Sequence, residues 1–360
     1  MKIVIIANNS NGLYLFRRQL ISALVERGHE VIALTPFDTD VDNLQSLGVT
    51  LVETPIDRRG TNPIRDYSLM KLYKKELKRI RPDLVITYTI KPNVYGGIVC
   101  RQLKIPYAVN ITGLGTAFEG SGVLRKVATV LNKTALKKAK VVFFENTENR
   151  NIFVNAGIVG KEKTHVLHGA GVDLNHFFYQ PYPNNQEFRF LFIGRVMKEK
   201  GVDELLESMK RLVSEGELCS LDVLGNHEED YKEKLDKAEK EGWLRYHGSQ
   251  QDVRPFISAC DCFVLPSYHE GMANTNLECA SSGRPIITSN IPGCKEAVVD
   301  GSGLLCEPKN IDSLYEAMKI MIKKTREERE KMGQVGRKHM LDVFDKKKVV
   351  AETIDHLGFV

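Results

Sequence analysis

The sequence predicts an α/β protein with two Rossmann-like domains that face a cleft. Short apolar strands alternate with amphipathic helices along most of the chain, which is typical of parallel sheets built from βαβ units. The alternation pauses at 175–187, where Pro181 and Pro183 lie among polar residues as in a linker, and it restarts at Phe188. A length of 360 residues corresponds to two or three domains at roughly 150 residues each. Because open α/β sheets bind ligands beyond the carboxyl ends of their strands, we expect both sets of strand ends to face the cleft.

Seven strands are predicted before the linker and six after it. The first set is 2–7, 31–34, 50–53, 84–87, 107–110, 141–144 and 165–167. The second set is 188–193, 220–224, 244–246, 262–265, 285–288 and 303–305. Each is a short apolar run bounded by turn residues. Helices are predicted between most of them, for instance at 13–26 and 67–80, and the highly charged tail 311–360 is also predicted to be helical.

Composition excludes several classes of protein. Apolar residues make up 42% of the chain and charged residues 27%, as in ordinary globular proteins, and no apolar run approaches the ~20 residues that span a bilayer. The first seven residues are too short for a signal peptide, so we interpret them as a buried strand. The seven cysteines are scattered through apolar segments without a CxxC pair, which favours structural thiols in a reducing cytosol over a zinc site.

Charge is distributed unevenly between the two halves. Residues 1–173 carry 25 Lys and Arg against 15 Asp and Glu, whereas residues 174–360 carry 26 against 31. Segments 67–81 and 122–138 of the basic half combine basic residues with apolar residues at helical spacing, and such helices can lie on anionic lipid. We therefore expect the first domain to contact the inner face of an anionic membrane; the alternative is ordinary packing of the apolar stripes. Nucleic acid is not an expected partner, because the basic half lacks interleaved aromatic residues.

The most informative segment is 268–278, which follows the predicted strand 262–265. It contains two glutamates, Glu270 and Glu278, across the expected start of a helix. Backbone N–H groups at a helix N-terminus attract phosphate, whereas carboxylates suit hydroxyl groups. The segment therefore predicts a site that binds a ribose or a sugar beside a diphosphate. The alternative is a capping box formed by Thr275 and Glu278.

A second motif, 194–201, lies between the strand 188–193 and a helix that begins at Val202. Its three basic residues, Arg195, Lys198 and Lys200, oppose the dipole of that helix unless an anion joins them. Arginine offers phosphate a bidentate fork and lysine a point charge. With the glutamate motif on a neighbouring strand, this predicts a nucleotide-diphosphate pocket in the second domain; the alternative is a solvated basic turn.

The first domain offers weaker signals. Residues 8–12, ending in Gly12, are interpreted as a small-residue loop after the first strand, which lets a ligand approach the backbone closely but is not a GxGxxG fingerprint. Residues that follow later strand ends suit acceptor binding: Lys91, Asn93, Thr112, Gly113 and the junction residue His168. For each of these a structural role is the alternative. The DxD-like triplet at 38–40 is interpreted as a solvated acidic loop.

Together these motifs resemble those of the family 4 retaining glycosyltransferases of GT-B architecture. The likeness covers essentially the whole chain, with G-R-x-x-x-x-K-G at 194–201, E-G-x(6)-E at 270–278, G-A-G-V-D at 169–173 and S-G-R-P at 282–285. The blocks 87–97 and 110–115 are similar to those of bacterial capsule, O-antigen and N-glycan enzymes. Such enzymes extend undecaprenyl-diphosphate-linked sugars, often with an N-acetyl-hexosamine from a UDP-sugar.

The resemblance implies a role for each motif. Arg195, Lys200 and Glu270 are the implied catalytic residues: the two cations neutralise the departing diphosphate and Glu270 contacts the donor sugar. Glu278 holds the ribose hydroxyls. The full donor site is Gly12, Gly194, Arg195, Lys200, Glu270, Gly271, Met272, Ala273, Asn274 and Glu278. No metal or other cofactor is expected. The implied domains are 1–174 with about 343–360 for the acceptor and membrane, and 175–342 for the donor, with the C-terminal helix crossing back to the first domain.

The sequence thus predicts a retaining hexosyltransferase. It moves a sugar, with an N-acetyl-hexosamine such as GalNAc favoured, from a UDP-sugar to an undecaprenyl-diphosphate-linked saccharide in O-antigen or capsule assembly. The expected location is cytoplasmic and peripheral on the inner face of the cell membrane. Two alternatives stay open: a nonhydrolysing sugar-nucleotide epimerase of the same fold, and a non-catalytic member of a glycan assembly complex.

Overall fold

The computed structural model describes residues 1–57, 60, 62–114 and 122–358. The chain divides into two compact units, which we call unit 1, Met1–Ala170 with Lys347–Val360, and unit 2, Gly171–Lys346. Each unit is built on one sheet whose strands pair in parallel, which confirms the predicted α/β class with two Rossmann-like domains. The C-terminal residues belong to unit 1, as the predicted fold required.

Unit 1 contains a seven-stranded sheet of order β3-β2-β1-β4-β5-β6-β7. Its strands are β1 Lys2–Ile6, β2 Glu30–Thr35, β3 Thr50–Glu53, β4 Leu84–Tyr88, β5 Tyr107–Ile111, β6 Val141–Phe144 and β7 Thr164–Val166. Its helices are α1 Ser10–Glu26, α2 Val41–Ser46, α3 Pro63–Ile80, α4 Gly97–Leu103, α5 Val123–Leu136 and α6 Thr147–Asn155. A π-helical turn, Pro92–Gly96, precedes α4.

Side chains of β1 show why the strands of unit 1 are almost wholly apolar. Ile3 and Ile5 belong to one buried cluster, whereas Val4 and Ile6 belong to another. Successive side chains of a strand point to opposite faces, and helices cover both faces of a parallel sheet. A continuous apolar run is therefore what a central strand of this sheet needs.

Unit 2 contains a six-stranded sheet of order β10-β9-β8-β11-β12-β13. Its strands are β8 Phe188–Ile193, β9 Cys219–Leu224, β10 Leu244–Gly248, β11 Cys262–Leu265, β12 Ile286–Ser289 and β13 Gly303–Cys306. Its helices are α7 Val202–Ser214, α8 Lys232–Lys240, α9 Arg254–Ala259, α10 Asn274–Ser281, α11 Ile311–Lys323 and α12 Arg326–Val343. The last helix, α13 Lys346–Leu357, packs Val349, Ile354 and Leu357 into a buried cluster of unit 1.

Each sheet has a point where the strand order reverses. In unit 1 it lies between β1 and β4, and in unit 2 between β8 and β11. Loops that leave neighbouring strands at such a switch point diverge to opposite faces of the sheet, and ligands bind in the crevice between them. In unit 2 these two loops contain the predicted motif 194–201 and the first part of the predicted motif 268–278, so the topology itself brings the motifs together.

All seven cysteines are buried and free of disulfides. No helix in the described part of the chain is long and apolar enough to cross a membrane.

Candidate functional site

Backbone and side-chain hydrogen bonds join the two loops at the switch point of unit 2. Strands β8 and β11 pair directly, with Cys262 opposite Phe190. Beyond the strand ends, the amide of Tyr268 donates to the carbonyl of Glu199 at 2.8 Å, and the hydroxyl of Ser267 contacts the same carbonyl at 3.3 Å. The two motifs therefore form one structural unit at the carboxyl edge of the sheet.

The ammonium of Lys200 donates a hydrogen bond to Oε1 of Glu270 and forms an ion pair with it. Both side chains are largely buried, at 15% and 14% exposure. Ammonium nitrogen has three donors, and Glu270 takes one of them. The sequence predicted that both residues belong to one site, but it did not predict that they pair with each other.

The three basic side chains of the first motif have different surroundings. Lys200 is paired with Glu270, and Lys198 is exposed in the 3-10 turn Lys198–Lys200. Arg195 is exposed and makes no hydrogen bond or ion pair with any residue that the structure describes. The first turn of α7 carries Asp203 and Glu204, so the helix dipole is already complemented by acidic residues. Arg195 is thus a cation of this motif that pairs with no acid among the described residues.

Helix α10 begins at Asn274, and its N-cap residue is Ala273, whose side chain makes no capping hydrogen bond. The capping-box alternative for Thr275 and Glu278 is therefore wrong: Thr275 lies inside the first turn rather than at the cap. Helices leave their first N–H groups without intrahelical partners, and no side-chain cap takes them here. The N-terminus of α10 keeps the positive end of its dipole open toward the site.

The segment 271–273 is held against a neighbouring turn. The amide of Ala273, a residue of the predicted donor site, donates to the carbonyl of Gly293 at 2.7 Å, so this N–H already has a partner in the chain. Gly293 has φ +84, and a Cβ there would lie 2.6 Å from the carbonyl oxygen of Gly271. Both Met272 and Ala273 are buried. Gly293 therefore permits a close backbone approach that fixes the loop after β11.

Glu278 lies one turn into α10 and is partly buried. Its carboxylate makes no hydrogen bond or ion pair within the described ranges, and burial raises its pKa to about 7, with an opposing contribution from the charge of Lys346. Asn274 lies four residues earlier, and therefore on the same helix face, and its buried Oδ1 also lacks a partner in the described chain. Two unpartnered polar groups on one face of a helix mark a place where a polar ligand restores the missing hydrogen bonds.

Sequence reasoning missed two positioning contacts of this site. The hydroxyl of Tyr268 donates to Oε1 of Glu204 at 2.6 Å, and the ammonium of Lys309 lies 4.9 Å from the Tyr268 ring centroid. Burial raises the pKa of the Tyr268 phenol above its ordinary value, and the hydrogen bond to Glu204 raises it further. These residues come from three separate segments, so no local pattern links them. The Pro292-Gly293 dipeptide was a turn signal, but its contact with the loop at 271 was not readable.

In unit 1, Gly12 lies in the first turn of α1 rather than in a loop, which corrects the prediction. Asn9 is the N-cap, and its Oδ1 accepts a hydrogen bond from the amide of Gly12 at 2.8 Å. A Cβ at Gly12 would collide with that oxygen. Gly12 therefore protects a helix cap, and the small-residue loop is confined to the two residues before Ser10.

Asp38 lies in an exposed loop, as the interpretation of the acidic triplet had it, but its carboxylate also holds the start of α1. Its Oδ1 accepts hydrogen bonds from the amides of Ser10 and Thr39, each at 2.9 Å. Burial opposes ionisation of Asp38, but these bonds and the Ser10 hydroxyl outweigh it and lower its pKa. Among the residues that the structure describes, no group of three His, Cys, Asp or Glu side chains is placed to hold a metal ion.

The predicted acceptor residues divide into two groups. Asn93 is buried, accepts from the Thr87 hydroxyl at 2.7 Å and donates to the carbonyl of Asn110 at 2.7 Å, so it braces the ends of β4 and β5. Lys91 donates to Asp66 at 2.6 Å. The other predicted acceptor residues, Thr112, Gly113 and His168, follow strand ends and are at least partly exposed. Gly115, part of the recognised sequence block, lies outside the described residues.

Comparisons with known proteins agree with this geometry. The family described as "Glycosyl transferases group 1" matches residues 177–339, and a "Glycosyl transferase 4-like domain" matches residues 12–170. A UDP-Gal:alpha-D-GlcNAc-diphosphoundecaprenol alpha-1,3-galactosyltransferase of Escherichia coli is 30% identical over 289 residues, which are 72% of this chain and 71% of the relative. The chain belongs to the group 1 glycosyltransferases. This confirms the resemblance stated from the motifs.

Other relatives of this glycosyltransferase cover more of the chain. An N,N'-diacetylbacillosaminyl-diphospho-undecaprenol alpha-1,3-N-acetylgalactosaminyltransferase of Campylobacter jejuni is 27% identical over 340 residues, 89% of each chain. The crystal structure of Anabaena HepE in complex with UDP-glucose matches with a TM-score of 0.80 at 18% identity, over 98% of this chain and 99% of that one. A glycosyltransferase structure from Rickettsia africae has the same TM-score at 16% identity, over 100% and 99%. The structural likenesses confirm the GT-B fold class.

The two family matches divide the predicted site residues of the glycosyltransferase. The group 1 match contains Arg195, Lys200, Glu270 and Glu278, and the 4-like match contains Lys91 with the other predicted acceptor residues. Gly12, a predicted donor residue, lies in the 4-like match and unit 1; the other predicted donor residues lie in the group 1 match and unit 2, apart from the predicted acceptor residues.

Proposed function

We propose that this glycosyltransferase is a retaining hexosyltransferase that takes its sugar from a UDP-sugar. The acceptor is an undecaprenyl-diphosphate-linked saccharide of a surface polysaccharide such as O-antigen or capsule. The observation that supports binding of a UDP-sugar donor is Glu278. It is a partly buried carboxylate without a described partner, and it lies at the carboxyl edge of a parallel sheet. The acceptor half is supported by the two relatives named for diphosphoundecaprenol-linked sugars, one of which transfers N-acetylgalactosamine.

The diphosphate of the donor lies at the switch point of unit 2. Arg195, which no described acid neutralises, supplies a planar fork that matches two phosphate oxygens. Lys200 has donors left after its bond to Glu270, and the uncapped start of α10 adds oriented N–H groups. As the bond to the anomeric carbon breaks, charge builds on the departing phosphate. Donors that are already fixed in place stabilise that charge without reorganisation.

The ribose and the transferred sugar each form hydrogen bonds with one of the two carboxylates. Glu278 accepts hydrogen bonds from the ribose hydroxyls, which supply the partners that its side chain lacks in the chain. Glu270 gives Oε1 to Lys200, and its other oxygen is placed to accept from a hydroxyl of the donor sugar. Lys200 therefore links the two halves of the donor: one cation contacts both the leaving group and the carboxylate on the sugar.

Retention of configuration follows from attack on the face that the leaving group vacates. A double displacement would need a carboxylate nucleophile close to the anomeric carbon. We do not assign that role to Glu270, because its ion pair with Lys200 already holds one of its oxygens. The acceptor hydroxyl is then guided by the departing phosphate.

The decisive test is a product assay with purified protein, a panel of nucleotide sugars, and short-chain polyprenyl-diphosphate-GlcNAc or -GalNAc. A mass increment of one hexose or N-acetyl-hexosamine that requires the acceptor supports the proposal. A changed sugar nucleotide without acceptor would instead identify an epimerase. Saturable UDP binding with no turnover across the panel would favour a non-catalytic member of an assembly complex.

A further inference from the structure

Unit 1 contains an apolar pocket of about 680 Å³ that the donor chemistry does not use. It lies among α3, the π-helical turn, α5 and the residues that follow β5. Its wall includes Met70, Val94, Ile98, Leu114, Ala128 and Leu131. This volume falls within the ~300–1,000 Å³ of ordinary small-molecule sites. A lining of this kind selects hydrocarbon rather than a sugar.

One end of the pocket is polar. Lys91 and Asp66 form an ion pair at 2.6 Å, and the hydroxyl of Tyr95 donates to the second oxygen of Asp66 at 2.7 Å. All three residues line the pocket, and Asp66 takes one of the three donors of the Lys91 ammonium. Lys91 lies shortly after Tyr88, the last residue of β4, at the switch point of unit 1. The described lining of the pocket therefore combines a hydrocarbon wall with the cation of Lys91 at the edge where ligands of such sheets bind.

The mouth of the pocket is apolar as well. Tyr67, Ile90, Leu124 and Val127 line the cavity and are also exposed, the least exposed of them at 48%. Grouped apolar side chains at a surface indicate a partner rather than bulk water. These exposed apolar side chains offer hydrocarbon a route from an apolar phase into the pocket.

Exposed basic residues lie on the two helices that contribute to this mouth. Helix α3 carries Lys71 and Lys74, and α5 carries Arg125 and Lys126, all exposed, while the sequence of α5 contains no acidic residue. Apolar residues that flank cations match the surface of an anionic bilayer, to which each such cation contributes about 1 kcal/mol. The charge around the mouth therefore favours a lipid source over a soluble apolar metabolite.

We propose that this pocket binds the isoprenoid chain of the acceptor lipid, with the units nearest the diphosphate inside it and the diphosphate at Lys91. This inference rests on the proposed function for the identity of the lipid. The pocket draws the first isoprene units out of the bilayer, and the attached saccharide is thereby presented beyond the strand ends of unit 1. Acceptor selection then depends on the lipid as well as on the sugar.

The first test uses the wild-type protein and farnesyl diphosphate, an isoprenoid diphosphate without sugar. We expect inhibition of transfer that is competitive with the polyprenyl acceptor and not with the UDP-sugar, and binding by calorimetry at least tenfold tighter than that of inorganic diphosphate. A photoreactive farnesyl diphosphate should label peptides within 90–98 or 122–138. Labelling confined to unit 2, or equal binding of inorganic diphosphate or of an uncharged alkyl detergent, would overturn the proposal.

A pair of variants on α5 supplies the matched control. Ala128→Phe fills the pocket, whereas Val130→Phe adds the same ring at an exposed position that does not line it. We expect Ala128→Phe to raise KM for a long-chain acceptor at least tenfold, with UDP affinity unchanged, and Val130→Phe to leave both unchanged. An unchanged KM in a folded Ala128→Phe protein argues against the pocket. The wild-type binding test decides the matter if that variant does not fold, and absence of UDP binding or transfer in the wild type would instead refute the proposed function.

Discussion

Lys200 and Glu270 lie 70 positions apart and form a largely buried ion pair that joins the two loops at the switch point of unit 2. Taking either partner away leaves the other charge buried without compensation. For buried pairs this costs about 3–5 kcal/mol, whereas exposed pairs contribute about 1 kcal/mol or less. The pair therefore connects the stability of unit 2 with the chemistry of its site.

We expect Lys200→Ala to lower the free energy of unfolding by roughly 3 kcal/mol and to abolish transfer. The matched control is Lys234→Ala, which removes an exposed pair with Asp203 and should cost about 1 kcal/mol or less. The double variant Lys200→Met with Glu270→Met should recover much of the stability without recovering transfer, as judged by urea denaturation and a product assay. Equal costs for Lys200→Ala and Lys234→Ala would contradict this account.

For Arg195 we expect a loss of transfer without a loss of stability. Because its side chain makes no hydrogen bond or ion pair with the described residues, Arg195→Ala should leave the free energy of unfolding within about 0.5 kcal/mol. Loss of one preorganised donor to a developing charge typically costs 10²–10³-fold in kcat, and we expect a loss of that size in transfer. Arg254→Ala is the control, since Arg254 is partly exposed and bonds Asp252. A transfer rate for Arg195→Ala like that of the control would remove Arg195 from the site.

The sequence could predict the position of those site residues that follow a strand in the local pattern. Arg195 and Glu270 follow apolar strands directly, so the sequence alone placed them at the carboxyl edge of a parallel sheet. The order of strands then made β8 and β11 neighbours, which is the usual result of the right-handed crossovers of such folds. The fold class and the meeting of the two motifs thus followed from periodicity and position.

Contacts set by tertiary packing were not predictable in this way. The bond between Tyr268 and Glu204 spans 64 residues, and Lys91 reaches Asp66 from 25 residues away. Asn93 follows a strand end as closely as Lys91 does, yet it is buried and braces β4 and β5. Position after a strand restricts which residues come near a site, but the direction of each side chain depends on the packing around it.

Gly293 allows a sharp test of the packing behind the donor loop. A Cβ at this position would lie 2.6 Å from the carbonyl of Gly271, at φ +84. Gly216 has nearly the same backbone, φ +85, but nothing within 4 Å of the added atom. Gly216→Ala should therefore cost only the left-handed conformation, about 1 kcal/mol, whereas Gly293→Ala should cost more and weaken UDP binding. Equal effects of the two substitutions on unfolding and on UDP affinity would show that the close approach does not position the loop.

Glu278 gives unit 2 a specific dependence of stability on pH. Burial raises the pKa of this carboxyl from 4.5 to about 7, so the folded state holds its proton more tightly than the unfolded state. The resulting stabilisation is fully present below pH 4.5 and is lost as pH rises through 7. We expect Glu278→Gln to be more stable than wild type by about 2–3 kcal/mol at pH 8 and nearly equal to it at pH 4.5. Glu207→Gln, at an exposed position of α7, controls for the lost charge, and a pH-independent difference for Glu278→Gln would contradict the assignment.

The same carboxyl should couple nucleotide binding to proton release. Ribose hydroxyls that donate to Glu278 favour its ionised form, so bound UDP lowers the raised pKa. Near pH 6.5 the free protein is largely protonated at this position, and binding should therefore release up to about one proton. Calorimetry in buffers of different ionisation enthalpy measures that release, and the UDP affinity of wild type should fall as pH decreases below about 7. Glu278→Gln should bind UDP more weakly and without proton release. Release of the same size in this variant would place the titrating group elsewhere, and none in the wild type would remove Glu278 from the ribose.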